Sequence, residues 1–259
     1  MIDPGHSGRY GSRTDRSTGL RDIDYPNFPE IYEMFDVSTC LARALRADGY
    51  RVLLTKRHAL SRVGHRERAE IANRSGADLA ISLHDDHGRS ARFQATYSQR
   101  GVPDGEGRYG PMYRGSGRTR TVFDRPRVAR ASETAARTIA KARSEVLRRK
   151  VAVTQNSFDG RAPLEPGNLA LVQLFATVPW VYNEMGARTG GSPSRALSIA
   201  SERNYAAGLL AGVEAAVPLD RSTPNPSPSA KGLTSCLREQ VEPKPGQFSR
   251  PRRYLPTGL

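Results

Sequence analysis

Short apolar runs alternate with amphipathic helical stretches near the start of the chain, and this alternation limits the fold more than any other feature. Ile2 fits the end of a strand, and the runs YRVLLT (50–55) and LAISLH (79–84) are typical of buried strands. Helical periodicity separates them, over about 27–48 and 63–74. Strands that alternate with helices favour a mainly parallel sheet covered by helices, so we predict an α/β fold.

The pattern changes further along the chain. Residues from about 98 to 127 are rich in Gly, Arg, Tyr and Pro without periodicity, which indicates an insertion or lid. Helices are predicted over about 129–149 and 194–217. Residues 220–259 are rich in Pro, Ser and Arg, which is typical of a disordered tail. The predicted organisation is one domain over 1–219, followed by this tail.

Composition narrows the class of protein. Lys and Arg number 40 against 26 Asp and Glu, a balance that suits any polyanionic surroundings without choosing among them. We predict no specific nucleic-acid partner, because the Tyr-Arg-Gly run at 108–118 is only a faint version of a basic and aromatic binding surface. No run of about 18 apolar residues exists, so no membrane span is expected.

The start of the chain and its cysteines carry two further expectations. The N-terminus lacks the basic and apolar pattern of a signal peptide, and the first strand begins so abruptly that we expect more sequence upstream. Cys40 and Cys236 have no metal-type spacing, so neither a thiolate zinc site nor a disulfide framework is indicated.

Ionisable side chains follow the predicted strands. His6 follows the first strand through an Asp-Pro-Gly turn, His84 ends the LAISLH strand, and Glu184 lies at or near the end of the later run VPWVYNEMG. The carboxyl ends of parallel strands share one edge of a sheet, and Glu30, at the start of the first helix, can face that edge. Two imidazoles and a carboxylate can bind zinc with one position open, and the second carboxylate is then a candidate base for amide hydrolysis.

Each of these residues also has a structural interpretation. A histidine at a strand end can bond to the backbone, and Glu184 can cap a helix or form a salt bridge. The four residues lie far apart in sequence without an HExxH motif, so spacing alone does not exclude these roles. Glu33, one turn after Glu30, competes for the ligand role.

Five motifs, in order, resemble the zinc-dependent N-acetylmuramoyl-L-alanine amidases of the amidase-3 family. MIDPGHSG is similar to the family's I-D-P-G-H-G-G strand, with Ser7 at the first of the two glycines. Glu30 leads to Gly49 and YRVLLTK, as the family's ligand Glu leads to V-x-L-T-R, with Lys56 at the Arg position. The other three are similar to family segments E-R-x-x-x-A-N, A-D-[LIF]-x-[IV]-S-[IL]-H and P-x-[VIL]-[LV]-x-E-x-G: ERAEIAN (67–73), ADLAISLH (77–84) and PWVYNEMG (179–186). The resemblance covers residues 1 to about 217.

The resemblance implies a fold and a site. The fold would have three αβα layers around a twisted, mainly parallel sheet of about six strands. His6, Glu30 and His84 would bind Zn²⁺, and Glu184 would be the catalytic acid and base. The domain over 1–219 would then be the catalytic domain.

The resemblance also sorts the neighbouring residues. Counted back from Gly49, Glu30 falls where the family's ligand does, so Glu33 is expected to be a solvent-facing acid of the helix. Asp85 is interpreted as a polar residue of a loop, with a smaller chance of orienting a ligand ring. His58 and His65 have no motif support and are expected at the surface.

The implied activity is hydrolysis of the amide bond between N-acetylmuramic acid and the L-alanine of the stem peptide, in cell-wall remodelling or lysis. The implied partner is peptidoglycan or a muropeptide, the location is the cell wall or another extracytoplasmic site, and a monomer is expected. The alternative is a catalytically silent amidase-fold protein that binds muropeptide or regulates wall synthesis. A polyanion-binding protein with structural His and Glu residues ranks third. The sequence does not distinguish a host autolysin from a phage lysin, since both would catalyse the same reaction.

Overall fold

The computed structural model describes residues 1–8, 11–14, 21–24, 26–85, 94–97, 125–155, 172, 175–185, 198–220 and 236. Structural statements below refer to these residues. The predicted insertion, apart from its last three residues, and the predicted tail, apart from residues 220 and 236, lie outside them. The boundaries of the insertion and the tail therefore stay predictions.

Seven strands and four helices are found in the described part of the chain. The strands are β1 (Ile2–Pro4), β2 (Gly11–Thr14), β3 (Arg21–Asp24), β4 (Ala80–His84), β5 (Gln94–Tyr97), β6 (Ala152–Gln155) and β7 (Trp180–Glu184). The helices are α1 (Phe28–Ala47), α2 (His65–Ser75), α3 (Pro126–Leu147) and α4 (Ile199–Ala216).

Five strands form one sheet in the order β1-β4-β7-β5-β6, and β2 and β3 form a separate antiparallel pair. β1, β4 and β7 are parallel, which confirms the predicted parallel sheet at its centre. β5 runs antiparallel to β7 and parallel to β6, so the sheet is mixed at this side. The described residues form no sixth strand of this sheet, and the count of about six stays a prediction.

The predicted strand over 50–55 is only partly present. Leu54 forms an isolated parallel bridge with Ile2, and the flanking backbone makes two hydrogen bonds to Ile2, at 2.8 Å to the Leu53 carbonyl and 3.1 Å from the Thr55 amide. The prediction of a full strand was wrong because β-rich composition does not supply the further ladder bonds that a regular strand requires.

Helices pack on both faces of the sheet. Ile81 of β4 and Val181 of β7 are register partners, and both side chains pack into the core formed with α1, α3 and α4. Ala80 and Trp180 point the other way and pack with Ala69 of α2. Strand alternation thus builds two cores from one pair of central strands. No helix in the described residues is both long enough and apolar enough to cross a membrane.

Cys40 and Cys236 form a disulfide that ties α1 to the C-terminal part of the chain. Each cysteine is 1% exposed. The expectation of no disulfide was wrong, because 196 residues separate the two in sequence and only the fold brings them together.

Removing this disulfide is expected to lower stability. The Cys40→Ala/Cys236→Ala variant should lose about 2–4 kcal/mol in the free energy of unfolding, because its unfolded chain is no longer cross-linked. Denaturant unfolding with and without reductant measures this loss. Reductant should destabilise the wild type and leave the double variant unchanged, and equal stability of the oxidised proteins would contradict the expectation.

Candidate metal centre

The chain bends at Gly5 and His6 directly after β1, two residues later than the predicted Asp-Pro-Gly turn, and this bend places His6 beside the end of β4. The Gly5 amide donates to the Leu83 carbonyl at 2.9 Å, which fastens the turn to the neighbouring strand. His6 itself has φ of 54°, in the left-handed region that non-glycine residues seldom adopt. Such backbone conformations cost about 1–3 kcal/mol and are concentrated at functional sites.

Gly5 leaves the space that His84 occupies. A Cβ on Gly5 would lie 2.6 Å from Cε1 and Nδ1 of His84 and 2.8 Å from the Leu83 carbonyl oxygen. Any side chain at this position would therefore push the His84 ring or the end of β4.

Gly5→Ala is expected to damage the site. The methyl group should displace the His84 ring and weaken the binding of any metal ion held by that ring about 10- to 100-fold, the range seen when a ligand loses its support. Zinc titration monitored by a competing chelator measures this change. Gly11→Ala is the control, since a Cβ on Gly11 meets nothing within 4 Å. Equal zinc affinity in both variants would contradict this account of the turn.

Glu30 bridges the two histidines from the first turn of α1. One of its oxygens, Oε2, lies 3.1 Å from Nε2 of His6, and the other, Oε1, lies 3.0 Å from Nδ1 of His84. Asn27 donates to Oε2 at 2.8 Å, and the Asp85 amide donates to Oε1 at 3.0 Å. Glu30 is 2% exposed, so both oxygens are held in fixed directions.

The charges in this cluster favour a cation. Burial raises the pKa of Glu30, but the nearby His6 charge and the hydrogen bonds with both imidazoles hold that pKa well below its ordinary value. Burial lowers the pKa of His84. For His6, burial is outweighed by the carboxylates of Glu30 and Asp24, which raise its pKa to about 10. The protein thus keeps a carboxylate and a neutral imidazole together, with a proton on His6 that a metal ion can displace.

Asp24, at the end of β3, is a neighbour of His6 that the sequence analysis missed. Its Oδ1 lies 3.7 Å from Nδ1 of His6, and its Oδ2 lies 3.7 Å from the guanidinium of Arg68. Asp24 is 6% exposed. A carboxylate behind a ligand histidine can orient the ring. The sequence analysis missed Asp24 because β2 and β3 carry little apolar alternation, so neither strand was predicted.

Arg68 of α2 holds the backbone beneath His6. Its guanidinium donates to the carbonyls of Pro4 at 2.9 Å and His6 at 2.6 Å, and to Oδ1 of Asp3 at 2.6 Å. Lys56 donates to the Gly5 carbonyl at 2.6 Å. Burial, together with the Arg68 charge, lowers the pKa of Lys56 to about 7. The loop that carries His6 is therefore fixed by two buried basic side chains.

Glu184 ends β7 directly beside His84. The two residues are register partners of adjacent parallel strands, so their side chains leave the sheet on the same side. Glu184 is 6% exposed. All four predicted site residues thus lie at the same edge of the sheet.

Two neighbouring residues, Glu33 and His65, differ from the expectations, whereas Asp85 lies in a loop as predicted. Glu33 is buried at 2% exposure, so its prediction as a solvent-facing acid was wrong: it lies on the covered side of α1. His65, expected at the surface, is also 2% exposed, at the start of α2. Asp85 is buried and contacts Glu30 through its backbone amide. His58 is exposed, as predicted.

His6, Glu30 and His84 fit a metal ion by chemistry and geometry. One ligand atom from each lies within 4.8 Å of the others. Two imidazole nitrogens and one carboxylate oxygen form a donor set typical of catalytic zinc.

Comparison with protein families and with solved structures gives matches to amidases. The model of the N-acetylmuramoyl-L-alanine amidase family, Amidase_3, matches residues 1–215. A search of the curated proteins finds no match.

Three solved structures have a similar fold. The apo form of the N-acetylmuramyl-L-alanine amidase Ami1 from Mycobacterium abscessus is 17% identical, with a TM-score of 0.55 over 83% of this chain and 96% of that one. An N-acetylmuramoyl-L-alanine amidase from Clostridium difficile 630 is 16% identical, with a TM-score of 0.52 over 85% and 96%. The CwlD amidase from Clostridioides difficile, in complex with the GerS lipoprotein, is 13% identical, with a TM-score of 0.50 over 85% and 98%.

Proposed function

Because the chain belongs to the N-acetylmuramoyl-L-alanine amidase family, we propose that it is a zinc-dependent hydrolase of the amide bond between N-acetylmuramic acid and the L-alanine of the stem peptide. The observation that carries this proposal is the convergence of His6, Glu30 and His84 at one sheet edge, with Glu184 beside them. Three ligands leave room for a water and the substrate carbonyl, as amide hydrolysis requires.

His6, Glu30 and His84 would hold the zinc ion. When bound, zinc lowers the pKa of water toward about 7 and polarises a carbonyl. Glu30 supplies the negative charge, and its hydrogen bonds from Asn27 and the Asp85 amide keep its oxygens aimed at the site. Arg68 holds the backbone of His6, and the Asp24 carboxylate lies 3.7 Å from the His6 ring.

Glu184 would move the proton. Its carboxylate accepts a proton from the attacking water, and the protonated acid then donates it to the departing nitrogen of L-alanine. In the reaction, the C–N bond breaks and a C–O bond forms. One proton of water ends on the amine, and the other stays on the new carboxyl group, which releases it to solvent. Burial of Glu184 at the end of a rigid strand suits this task, because proton transfer depends on a fixed distance.

The substrate class sets the expected surroundings. The partner would be peptidoglycan or a muropeptide, and the protein would act at the cell wall or another extracytoplasmic site. The buried disulfide between Cys40 and Cys236 supports this location, because disulfides persist in oxidising compartments. A monomer stays the expectation, although CwlD was solved with a lipoprotein partner.

We also propose that the complete domain has the three-layer αβα fold with about six strands. Helices on both faces of the sheet support the three layers.

Product analysis tests the proposed activity. The purified protein should release free stem peptide with an L-alanine amino terminus from muropeptides, identified by mass spectrometry, and leave N-acetylmuramic acid with a free carboxyl group. The alternative, a catalytically silent protein that binds muropeptide, predicts binding without any product. Cleavage within the peptide or the glycan would contradict the proposed bond.

A further inference from the structure

A buried polar cluster lies on the opposite face of β7 from Glu184. Asn183 is the residue before Glu184, so strand alternation points it toward α3 and α4. There it meets Arg143 of α3 and Tyr205 of α4. Arg143 and Asn183 are 0% exposed and Tyr205 is 1% exposed. The cluster is therefore sealed from solvent directly behind the proposed catalytic carboxylate.

Three hydrogen bonds from this cluster end on the last two residues of β7. Nη2 of Arg143 donates to the backbone carbonyl of Glu184 at 2.6 Å, and Nη1 donates to Oδ1 of Asn183 at 3.1 Å. The Tyr205 hydroxyl donates to the Asn183 carbonyl at 2.7 Å. The guanidinium also lies 4.9 Å from the centre of the Tyr205 ring, within the range of a cation–π contact.

Burying a guanidinium is costly, and that of Arg143 is fully buried. Moving a charged group into the protein interior costs several kcal/mol, and replacing buried charged groups by apolar ones is often neutral or stabilising. Burial lowers the pKa of Arg143, in keeping with this cost. Stability alone therefore does not explain why an arginine occupies position 143. Its directional hydrogen bond to the Glu184 carbonyl does give such an explanation.

We propose that Arg143, together with Asn183 and Tyr205, is a positioning residue that fixes the end of β7 and thereby the Glu184 carboxylate. The inference rests on the proposed role of Glu184. Proton transfer is sensitive to distance, and a displacement of about 1 Å at a reacting group can cost about 100-fold in rate. The cluster acts through the backbone and does not touch the substrate.

Arg143→Met tests the inference, since methionine keeps an unbranched, largely apolar side chain and removes the guanidinium donors. We expect kcat for muropeptide cleavage to fall about 10- to 100-fold, with KM and zinc content unchanged. The kcat of Arg143→Lys should lie between those of Arg143→Met and the wild type, because the lysine ammonium can retain one of the two hydrogen bonds. Arg137→Met is the control: Arg137 lies on the same helix, is exposed and forms an ion pair with Glu133 at 2.7 Å.

The kinetics separate positioning from a merely structural role. All variants are compared well below their melting temperatures, where each is folded. A lower melting temperature with kcat equal to that of Arg137→Met would overturn the inference, and so would a rise in KM at constant kcat. If the wild type itself releases no stem peptide, the proposed function fails first and the inference falls with it.

A glycine pair keeps the test decisive if Arg143→Met does not fold. A Cβ on Gly208 would lie 3.2 Å from Cγ of Arg143, and a Cβ on Gly212 would lie 3.1 Å from Cα of Ile139, one turn earlier on α3. Alanine at either position crowds the contact between α3 and α4, but only Gly208→Ala pushes on Arg143. We expect a lower kcat in Gly208→Ala alone, and equal kcat values in the two variants would overturn the inference.

Discussion

Glu184→Gln is expected to lower the rate of stem-peptide release about 10²- to 10⁴-fold, the range attributed to general acid–base catalysis. Glutamine has the shape of glutamate and cannot accept or return a proton. Because Glu184 lies beside His84 in register but is not one of the three clustered ligands, zinc binding should be retained. Steady-state kinetics together with metal analysis of the same preparation measure both effects.

Glu33→Gln is the matched control for Glu184→Gln. Glu33 is also buried, at 2% exposure against 6% for Glu184, and lies one turn after Glu30 on α1. Its replacement should leave both zinc content and turnover close to wild type, because Glu30 is the carboxylate that contacts the two histidines. Loss of zinc in Glu33→Gln would make Glu33 a ligand, and full activity in Glu184→Gln would place the base elsewhere.

Arg68→Met is expected to cost about 3–5 kcal/mol of folding free energy, the cost of breaking a buried ion pair from one side. The substitution leaves the Asp3 carboxylate buried without its 2.6 Å partner and removes donors from the carbonyls of Pro4 and His6. The loop of His6 should loosen as a result. Denaturant unfolding and zinc titration measure the two consequences.

Arg66→Met is the control for Arg68→Met. Arg66 lies on the same helix, and its half-buried side chain pairs with Glu70 at 3.0 Å. Such pairs contribute about 0.2–0.5 kcal/mol, so this variant should be almost as stable as the wild type. Adding Asp3→Asn to Arg68→Met should recover part of the loss, since the lone buried charge is then removed. Equal effects of the two arginine substitutions would contradict the assigned role of Arg68.

The site residues at the sheet edge could be predicted because each follows a strand that short stretches of sequence reveal. A turn after β1 and a histidine at the end of β4 are readable in consecutive letters, and parallel strands bring their carboxyl ends to one edge. That reasoning placed His6, His84 and Glu184 together before any distance was known. The helices were predicted within a few residues of their observed ends, because their apolar spacing and Gly76, which ends α2, are local signals.

Features that depend on distant contacts were missed. Nothing near Asp24 or Arg68 in sequence indicates that they meet behind His6. Glu33 was predicted at the surface because Glu30 took the ligand role, and His65 because no motif includes it, yet both are buried. The disulfide between Cys40 and Cys236 joins residues whose contact only the complete fold creates. Polarity and spacing describe single elements, whereas burial is decided by how the elements pack.

Stoichiometric reactivation by zinc tests the central claim most directly. The protein is stripped of metal with a chelator, titrated with Zn²⁺, and assayed for stem-peptide release at each step, with His84→Ala in parallel. We predict no activity in the stripped protein, a linear return that ends at about one equivalent of zinc, and no return in His84→Ala, which lacks one of the three ligands. Full activity in the metal-free protein, or reactivation of His84→Ala at one equivalent, would contradict a zinc site built from His6, Glu30 and His84.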